Sequence, residues 1–371
     1  MSQPFTIETA FPGGNAQIDG IEGDTVHLRP DLRDTQGDWF YWCFGVRGAQ
    51  GRTLRFRFPR ACLIGVHGPA VSRDGGRSWQ WAGAPSVEAV EFTHTFGSDE
   101  SEVRFSVGIP YLLADLQAWL DGRRDASRLK REMLCLSRGG AAVPLLRIQP
   151  VDQIRRRVLL TARHHCCEAM ASYVLEGALD AALDDASIAP DTESVAVPMV
   201  DLDGVHAGDQ GKNRRPHDHN RDYFESGIYP ETRAIRELVR EAKDPPFSVA
   251  IDLHCPYISG PYNQYIYQVG SRHAAVWTRQ QAFATLLERM HEGELPYRAS
   301  DDLPFGTSWN SVTNEPVGCS CAKWMIDAGG VALGDTFEIP YADAHGVRVT
   351  PELARQFGSS LMRAIGEWGD S

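Results

Sequence analysis

Residues 163–168 read Arg-His-His-Cys-Cys-Glu, and within them His165 and Glu168 form a His-x-x-Glu pair. At that spacing an imidazole and a carboxylate can fall on one side of a turn and share a metal ion. The pair occurs often by chance, so it needs a third ligand before it carries weight. His254, closing Ile-Asp-Leu-His at 251–254, is the candidate. Two histidines and one glutamate are a known catalytic zinc set, and they leave a fourth coordination position open. One zinc ion per chain, held by His165, Glu168 and His254, is therefore expected. Glu338 completes the constellation. It sits in the apolar run Val331–Ile339, where a buried carboxylate is costly unless it has a task.

Elements of fixed direction must bring these residues together. Four runs read as buried strands: residues 157–162 (RVLLTA), 194–200 (SVAVPMV), 247–253 (FSVAIDL) and 331–339 (VALGDTFEI). Three of them end at the candidate residues. Helical patterns lie between and after them, over 169–179, on the stripe Ile235, Leu238, Val239 and Ala242, and on Leu353, Phe357, Leu361, Ile365 and Trp368. Strands alternating with helices predict an α/β domain with a mixed central sheet flanked by helices. Chemistry in such sheets gathers at the carboxyl ends of the strands.

The first third has a different character. Trp39–Phe44 reads as a buried strand and Thr53–Phe58 as a half-exposed one; a turn at Asp74-Gly75-Gly76 precedes Trp79 and Trp81. Further strands are expected over 90–96 and 103–107. Short strands with turns at this spacing predict an antiparallel β-sandwich. Residues 111–120 look helical and 122–131 read as a charged, solvated surface. The expected organisation is an N-terminal sandwich over 1–112 and a catalytic α/β domain over 113–371.

With 371 residues, 42% of them hydrophobic, the chain can bury a substantial core. Its net charge of −12 argues against a general nucleic-acid binder. No run suggests a membrane span, and the segment MSQPFTIETAFPGGN does not read as a secretory signal. Eight scattered cysteines suggest reduced thiols and a cytoplasmic setting. The adjacent Cys166 and Cys167 suit either metal or redox chemistry, or small buried positions beside a site.

Several motifs in order carry a family resemblance. Thr161-Ala-Arg-His-His-Cys-Cys-Glu168 is similar to the Ala-Arg-x-His-Pro-Gly-Glu motif of the zinc metallocarboxypeptidases, and Val197-Pro-Met-Val-Asp-Leu-Asp-Gly204 resembles their Val-Pro-x-x-Asn-Pro-Asp-Gly. Asp218-His-Asn-Arg-Asp-Tyr223 resembles Asp-Leu-Asn-Arg-Asp-Tyr, while Ile251-Asp-Leu-His254 and Thr336-Phe-Glu338 match the third ligand and the catalytic glutamate. The matches span about 160–340. Together with the N-terminal β region and Ile109-Pro-Tyr111, they resemble the cytosolic carboxypeptidase branch and its bacterial relatives. The chain departs from the pattern at Cys166-Cys167, in place of Pro-Gly, and at Cys255-Pro256, in place of Gly-His.

The resemblance implies a carboxypeptidase that releases C-terminal residues of peptides or proteins. Glu338 would act as general base and then acid, and Asn220 and Arg221 would clamp the terminal carboxylate. The family's carbonyl-polarising arginine has no match, so Lys212 or Arg214 is the expected substitute. Arg163 either lines a subsite or pairs with a carboxylate. The family's substrate tyrosine has three candidates, Tyr262, Tyr265 and Tyr267. His164 reads as a packed neighbour, His217 and His219 as loop histidines rather than a second metal site, and Asp201 and Asp203 as turn-formers. The cations Lys212, Arg214, Arg215 and Arg221 suggest either a preference for acidic C-terminal residues or a solvated basic loop. Two other functions fit: a zinc amidohydrolase acting on a small N-acyl amino acid, and a non-catalytic binding protein.

Overall fold

The computed structural model describes residues 5–84, 87–88, 90–314 and 318–368. Alternation builds the N-terminal third: in the strand Thr53–Arg57, Leu54 and Phe56 are buried between exposed neighbours. Two five-stranded sheets result. Trp42, Phe44, Phe56, Phe92 and Phe105 pack in this region, with successive ring centroids 4.9–5.7 Å apart. One pairing departs from the antiparallel expectation, since Thr25–Arg29 runs parallel to Thr53–Arg57.

The run 39–44 also behaves differently from the expectation. Only Cys43 and Phe44 enter the strand Cys43–Arg47. Residues 39–42 lie outside the ladder because their polar groups are engaged elsewhere: the Tyr41 amide donates to Gln210 Oε1, and the Trp42 indole donates to the Leu63 carbonyl.

The remainder is built on a seven-stranded mixed sheet: β1 (Leu129–Leu136), β2 (Ala142–Ile148), β3 (Arg156–Ala162), β4 (Thr192–Val197), β5 (Phe247–His254), β6 (Tyr267–Gln268) and β7 (Leu333–Glu338). The spatial order is β1-β2-β4-β3-β5-β7-β6. The inner four strands are parallel, and β1, β2 and β6 join antiparallel. The β1–β2 hairpin was not expected, and the start of β1 falls in the stretch read as solvated surface. Its sequence LKREMLCL does not alternate cleanly, as befits an edge strand with exposed Met133 and Leu136.

Seven α-helices occur among the described residues: α1 (Leu113–Asp121), α2 (Ala169–Asp184), α3 (Leu202–Ala207), α4 (Pro230–Glu241), α5 (Ala274–Met290), α6 (Cys321–Asp327) and α7 (Pro351–Glu367). None is long and apolar enough to cross a membrane. The contact of α2 with α7 is unusually close. A Cβ on Gly177 would lie 2.0 Å from the Arg355 carbonyl oxygen, and one on Gly358 would lie 1.9 Å from that of Val174. Only glycine lets the two backbones approach so far.

Candidate metal centre and active-site cleft

Parallel pairing aligns the strand ends. His254, the last residue of β5, is in register with Glu338, the last residue of β7, and Ala162 of β3 is in register with Leu253. Beyond β3, Arg163 takes a left-handed conformation (φ 66°), rare outside glycine, and turns the chain out of the sheet. The loop then passes His165 and reaches Glu168, the residue immediately before α2.

Three donors converge there. His165 Nδ1 lies 3.0 Å from Glu168 Oε1, His254 Nδ1 lies 2.7 Å from Glu168 Oε2, and the two Nδ1 atoms are 3.2 Å apart. Zinc bonds of about 2.0–2.1 Å in a tetrahedron separate neighbouring donors by roughly 3.3 Å. The residues present therefore fit a metal ion. The chemistry of the set agrees, since two ring nitrogens facing each other beside a carboxylate need a cation or a proton between them. His254 is oriented from behind: its Nε2 lies 2.8 Å from Asp252 Oδ2, the carboxylate support common behind metal-binding imidazoles. Asp252 Oδ1 also receives the Thr161 hydroxyl at 2.7 Å and His164 Nδ1 at 2.8 Å.

His164 is fully buried, with its Nε2 2.7 Å from the Tyr223 hydroxyl, so it is the packed neighbour expected. His164, Asp252 and Cys321 also lie close enough together to resemble a second ion site. Their hydrogen bonds already occupy the two polar side chains. His217 and His219 do not form a metal cluster among the described residues. His217 pairs with Asp222, and His219 stacks on Tyr229 with ring centroids 3.7 Å apart.

The ligands open onto a cleft of ≈ 660 Å³. Glu338 lines it, 7% exposed, and its Oε2 has no hydrogen-bond partner among the described residues. Burial pushes its carboxyl up to about 7, with Lys212 pulling it down and Glu168 pushing it further up. Lys212 also lines the cleft. Its ammonium lies 2.5 Å from Glu168 Oε1 and donates to the Cys255 carbonyl at 3.2 Å. Although burial opposes it, Glu168 holds that ammonium charged, above the ordinary lysine value. Gly211 makes this placement possible, because a Cβ there would sit 2.4 Å from the Cys166 amide nitrogen.

Two of the expected site residues are engaged by other partners. Arg214 borders the cleft, but its guanidinium is neutralised by Asp201 (3.0 Å), Asp209 (2.9 Å) and Asp34 (3.5 Å). Arg163 is absent from the cleft wall and 3% exposed. It donates to the Cys166 and Tyr111 carbonyls and to the Ser172 hydroxyl, so it ties the ligand loop to its surroundings. Asn220 and Arg221 do lie at the cleft. Asn220 Nδ2 is 3.2 Å from His254 Nε2, and its Oδ1 accepts from the Cys321 amide. Arg221 donates to the Asn220 carbonyl at 2.9 Å and has no ion pair among the described residues. Asp218 stands beside His165, with Oδ1 3.7 Å from Nε2. Burial works against its ionisation, yet the His165 contact holds it well below the usual carboxylate range.

None of Tyr262, Tyr265 and Tyr267 lines the cleft; Tyr257 does, with Trp39 and Trp309. Sequence reasoning missed these three. Trp39 belongs to the N-terminal third, and nothing in its local pattern signals a distant cleft.

Comparison with known proteins agrees with this geometry. No protein-family model matches the chain. It is 24% identical over 287 residues to cytosolic carboxypeptidase 6 of Caenorhabditis elegans, covering 67% of this chain and 62% of that protein. Against cytosolic carboxypeptidase 2 of Mus musculus the identity is 24% over 336 residues, covering 76% and 38%. The alignments thus span less than two thirds of these relatives' length. A solved metallo-carboxypeptidase from Burkholderia cenocepacia superposes with a TM-score of 0.78 over 98% of both chains at 16% identity. The chain has the metallo-carboxypeptidase fold. The curated relatives it resembles are named cytosolic carboxypeptidases. A second metallo-carboxypeptidase, from Pseudomonas aeruginosa and solved with (2-guanidinoethylmercapto)succinic acid, shares the fold at TM-score 0.75 and 18% identity, covering 98% of each chain. Within this metallocarboxypeptidase frame, Cys166 and Cys167 are the buried positions between the ligands. Burial raises both thiols, Cys167 to about 11, which makes them poor thiolates at neutral pH.

Proposed function

We propose that this protein is a zinc carboxypeptidase that hydrolyses the last peptide bond of peptides or proteins. The observation that carries the reading is the convergence of His165, Glu168 and His254 beside Glu338, which faces the cleft with an unpartnered oxygen. Zinc, when bound by the three ligands, supplies a Lewis acid that polarises the scissile carbonyl and acidifies a water.

The remaining roles fall to side chains of the chain itself. Glu338 accepts the proton of the attacking water and returns it to the leaving amine. Its raised carboxyl suits both directions of transfer near neutral pH. Lys212 offsets the negative charge that develops on the carbonyl oxygen. Arg221, with Asn220 beside it, receives the terminal carboxylate through its planar donor fork, and this restricts cleavage to a chain end. The chain is organised for this as an N-terminal sandwich to residue 112 and a catalytic unit from 113, where α1 begins. The eight free thiols support a reducing, cytoplasmic setting.

A preference for acidic C-terminal side chains has less support than the basic loop suggested. Arg214 is neutralised, Arg215 does not line the cleft, and Arg221 is assigned to the carboxylate. Lys323, in the cleft wall but paired with Asp327, is the cation left for that purpose.

The test is metal analysis joined to hydrolysis of peptides ending in Glu, Lys or Phe, for wild type and Glu338→Gln. Retained zinc with kcat lowered about 10²- to 10⁴-fold in the variant is expected. Unchanged hydrolysis in the variant, or cleavage of N-acyl amino acids but no peptide, would overturn the reading.

A further inference from the structure

The cleft wall carries two unlike sets of residues. One is polar: Arg221 with Asn310, Ser311 and Ser320. The other is aromatic: Trp39 and Tyr257, with Pro256. Trp39 comes from the N-terminal third, far from the ligands in sequence. Its ring centroid lies 5.4 Å from Lys212 Nζ, which is itself 2.5 Å from Glu168 Oε1. The ring is therefore within one side-chain length of the ligand set.

It is also held by several contacts. The Trp39 indole nitrogen donates to the Gln36 carbonyl at 2.8 Å. Tyr257 meets Trp39 edge-on at 5.7 Å and Phe40 at 5.1 Å, and Phe40 meets Tyr341 at 5.4 Å. The segment carrying the ring is bonded to the segment carrying Lys212. Gln36 and Asn213 exchange two hydrogen bonds, and the Thr35 hydroxyl donates to the Lys212 carbonyl at 2.9 Å. The two segments form one wall.

A peptide laid through this cleft has its direction fixed. With its terminal carboxylate at Arg221 and its scissile carbonyl beside Lys212, the residue contributing that carbonyl comes within reach of Trp39, whose ring lies 5.4 Å from the Lys212 ammonium. We propose that Trp39 is a specificity-determining residue: its ring forms the subsite for the penultimate side chain of the substrate and favours an aromatic or large apolar group there. The proposal rests on the carboxypeptidase reading and deepens it. The N-terminal third thus selects substrate in addition to supporting the fold.

The experiment compares peptides with one C-terminal residue and either Phe or Ala before it, cleaved by wild type, Trp39→Ala and Trp39→Phe. Wild type is expected to favour penultimate Phe, and Trp39→Ala to lose about 3- to 10-fold of that preference, the scale of one aromatic contact. Trp39→Phe should keep most of it. An equal fall of kcat/KM for both peptides would overturn the proposal, because the ring would then only hold Lys212. Unchanged selectivity in an active, folded Trp39→Ala would overturn it too. Absence of peptide hydrolysis by zinc-loaded wild type is a different outcome, and it removes the carboxypeptidase reading along with the subsite.

Discussion

Replacing Asp252 by Asn changes one atom of a fully enclosed carboxylate and should weaken metal binding. The carboxylate is 2% exposed and takes three donors: the Thr161 hydroxyl at 2.7 Å, His164 Nδ1 at 2.8 Å and His254 Nε2 at 2.8 Å. Burial opposes its ionisation, but His164 and His254 hold it well below the ordinary aspartate value. By keeping the His254 proton on Nε2, it leaves the Nδ1 lone pair free to face the ligand set. Asparagine retains one acceptor oxygen and replaces the other with a donor. If the amide faces His254, the imidazole must move its proton to Nδ1, where it blocks the ion. If the amide faces Thr161 and His164, their hydrogen bonds fail instead. A hydrogen bond to a charged group contributes about 1.5–3 kcal/mol, which corresponds to roughly 10- to 100-fold in affinity. Competition against a zinc chelator measures this directly, with circular dichroism reporting that the variant is folded. A folded variant that binds zinc within twofold of wild type would refute the reasoning.

Two predictions concern stability. Gly358→Ala should destabilise by about 1–3 kcal/mol or more, the range for an overpacked contact, since the new Cβ would lie 1.9 Å from a carbonyl oxygen; an unchanged melting temperature would contradict this. Asp302 is buried away from the ligands and hydrogen-bonded to the Gln268 amide and Tyr297 hydroxyl, and burial pushes its carboxyl from 3.8 up to about 7. A carboxyl raised on folding stabilises most below pH 3.8, and its contribution is lost as pH rises through 7. Between pH 5 and 8 this amounts to about 2–3 kcal/mol. Asp302→Asn should therefore flatten the pH dependence of stability over that interval. Denaturant titrations at the two pH values test it, and an undiminished pH dependence would argue against it.

The parallel strands were legible because each is a run buried on both faces, and a run such as FSVAIDL admits no surface alternative. At or just beyond their ends stand the candidate ligands His165, Glu168 and His254, with Glu338 beside them. Other features depend on contacts that no local pattern reports. Between Lys212 and Arg214 the sequence offers no choice, because Asp201, Asp209 and Asp34, which pair with Arg214, come from separate places in the chain. Arg163 resembled a substrate contact until its donors were seen on the backbone carbonyls of its own loop and of Tyr111. Trp39 read as strand because it is aromatic and flanked by aromatics, whereas tertiary packing turns it toward the cleft. The β1–β2 hairpin was hidden because an edge strand with a charged start looks like solvated surface.

The crossing of α2 with α7 has a consequence for how the protein is made. Glu168 immediately precedes α2, and α2 is positioned by backbone contact at Gly177 and Gly358. During synthesis the first two ligand-bearing strand ends leave the ribosome long before residues 351–367 do. A nascent chain that has not yet formed that helix lacks the backbone contact that seats α2, and with it the support behind Glu168 at the start of α2.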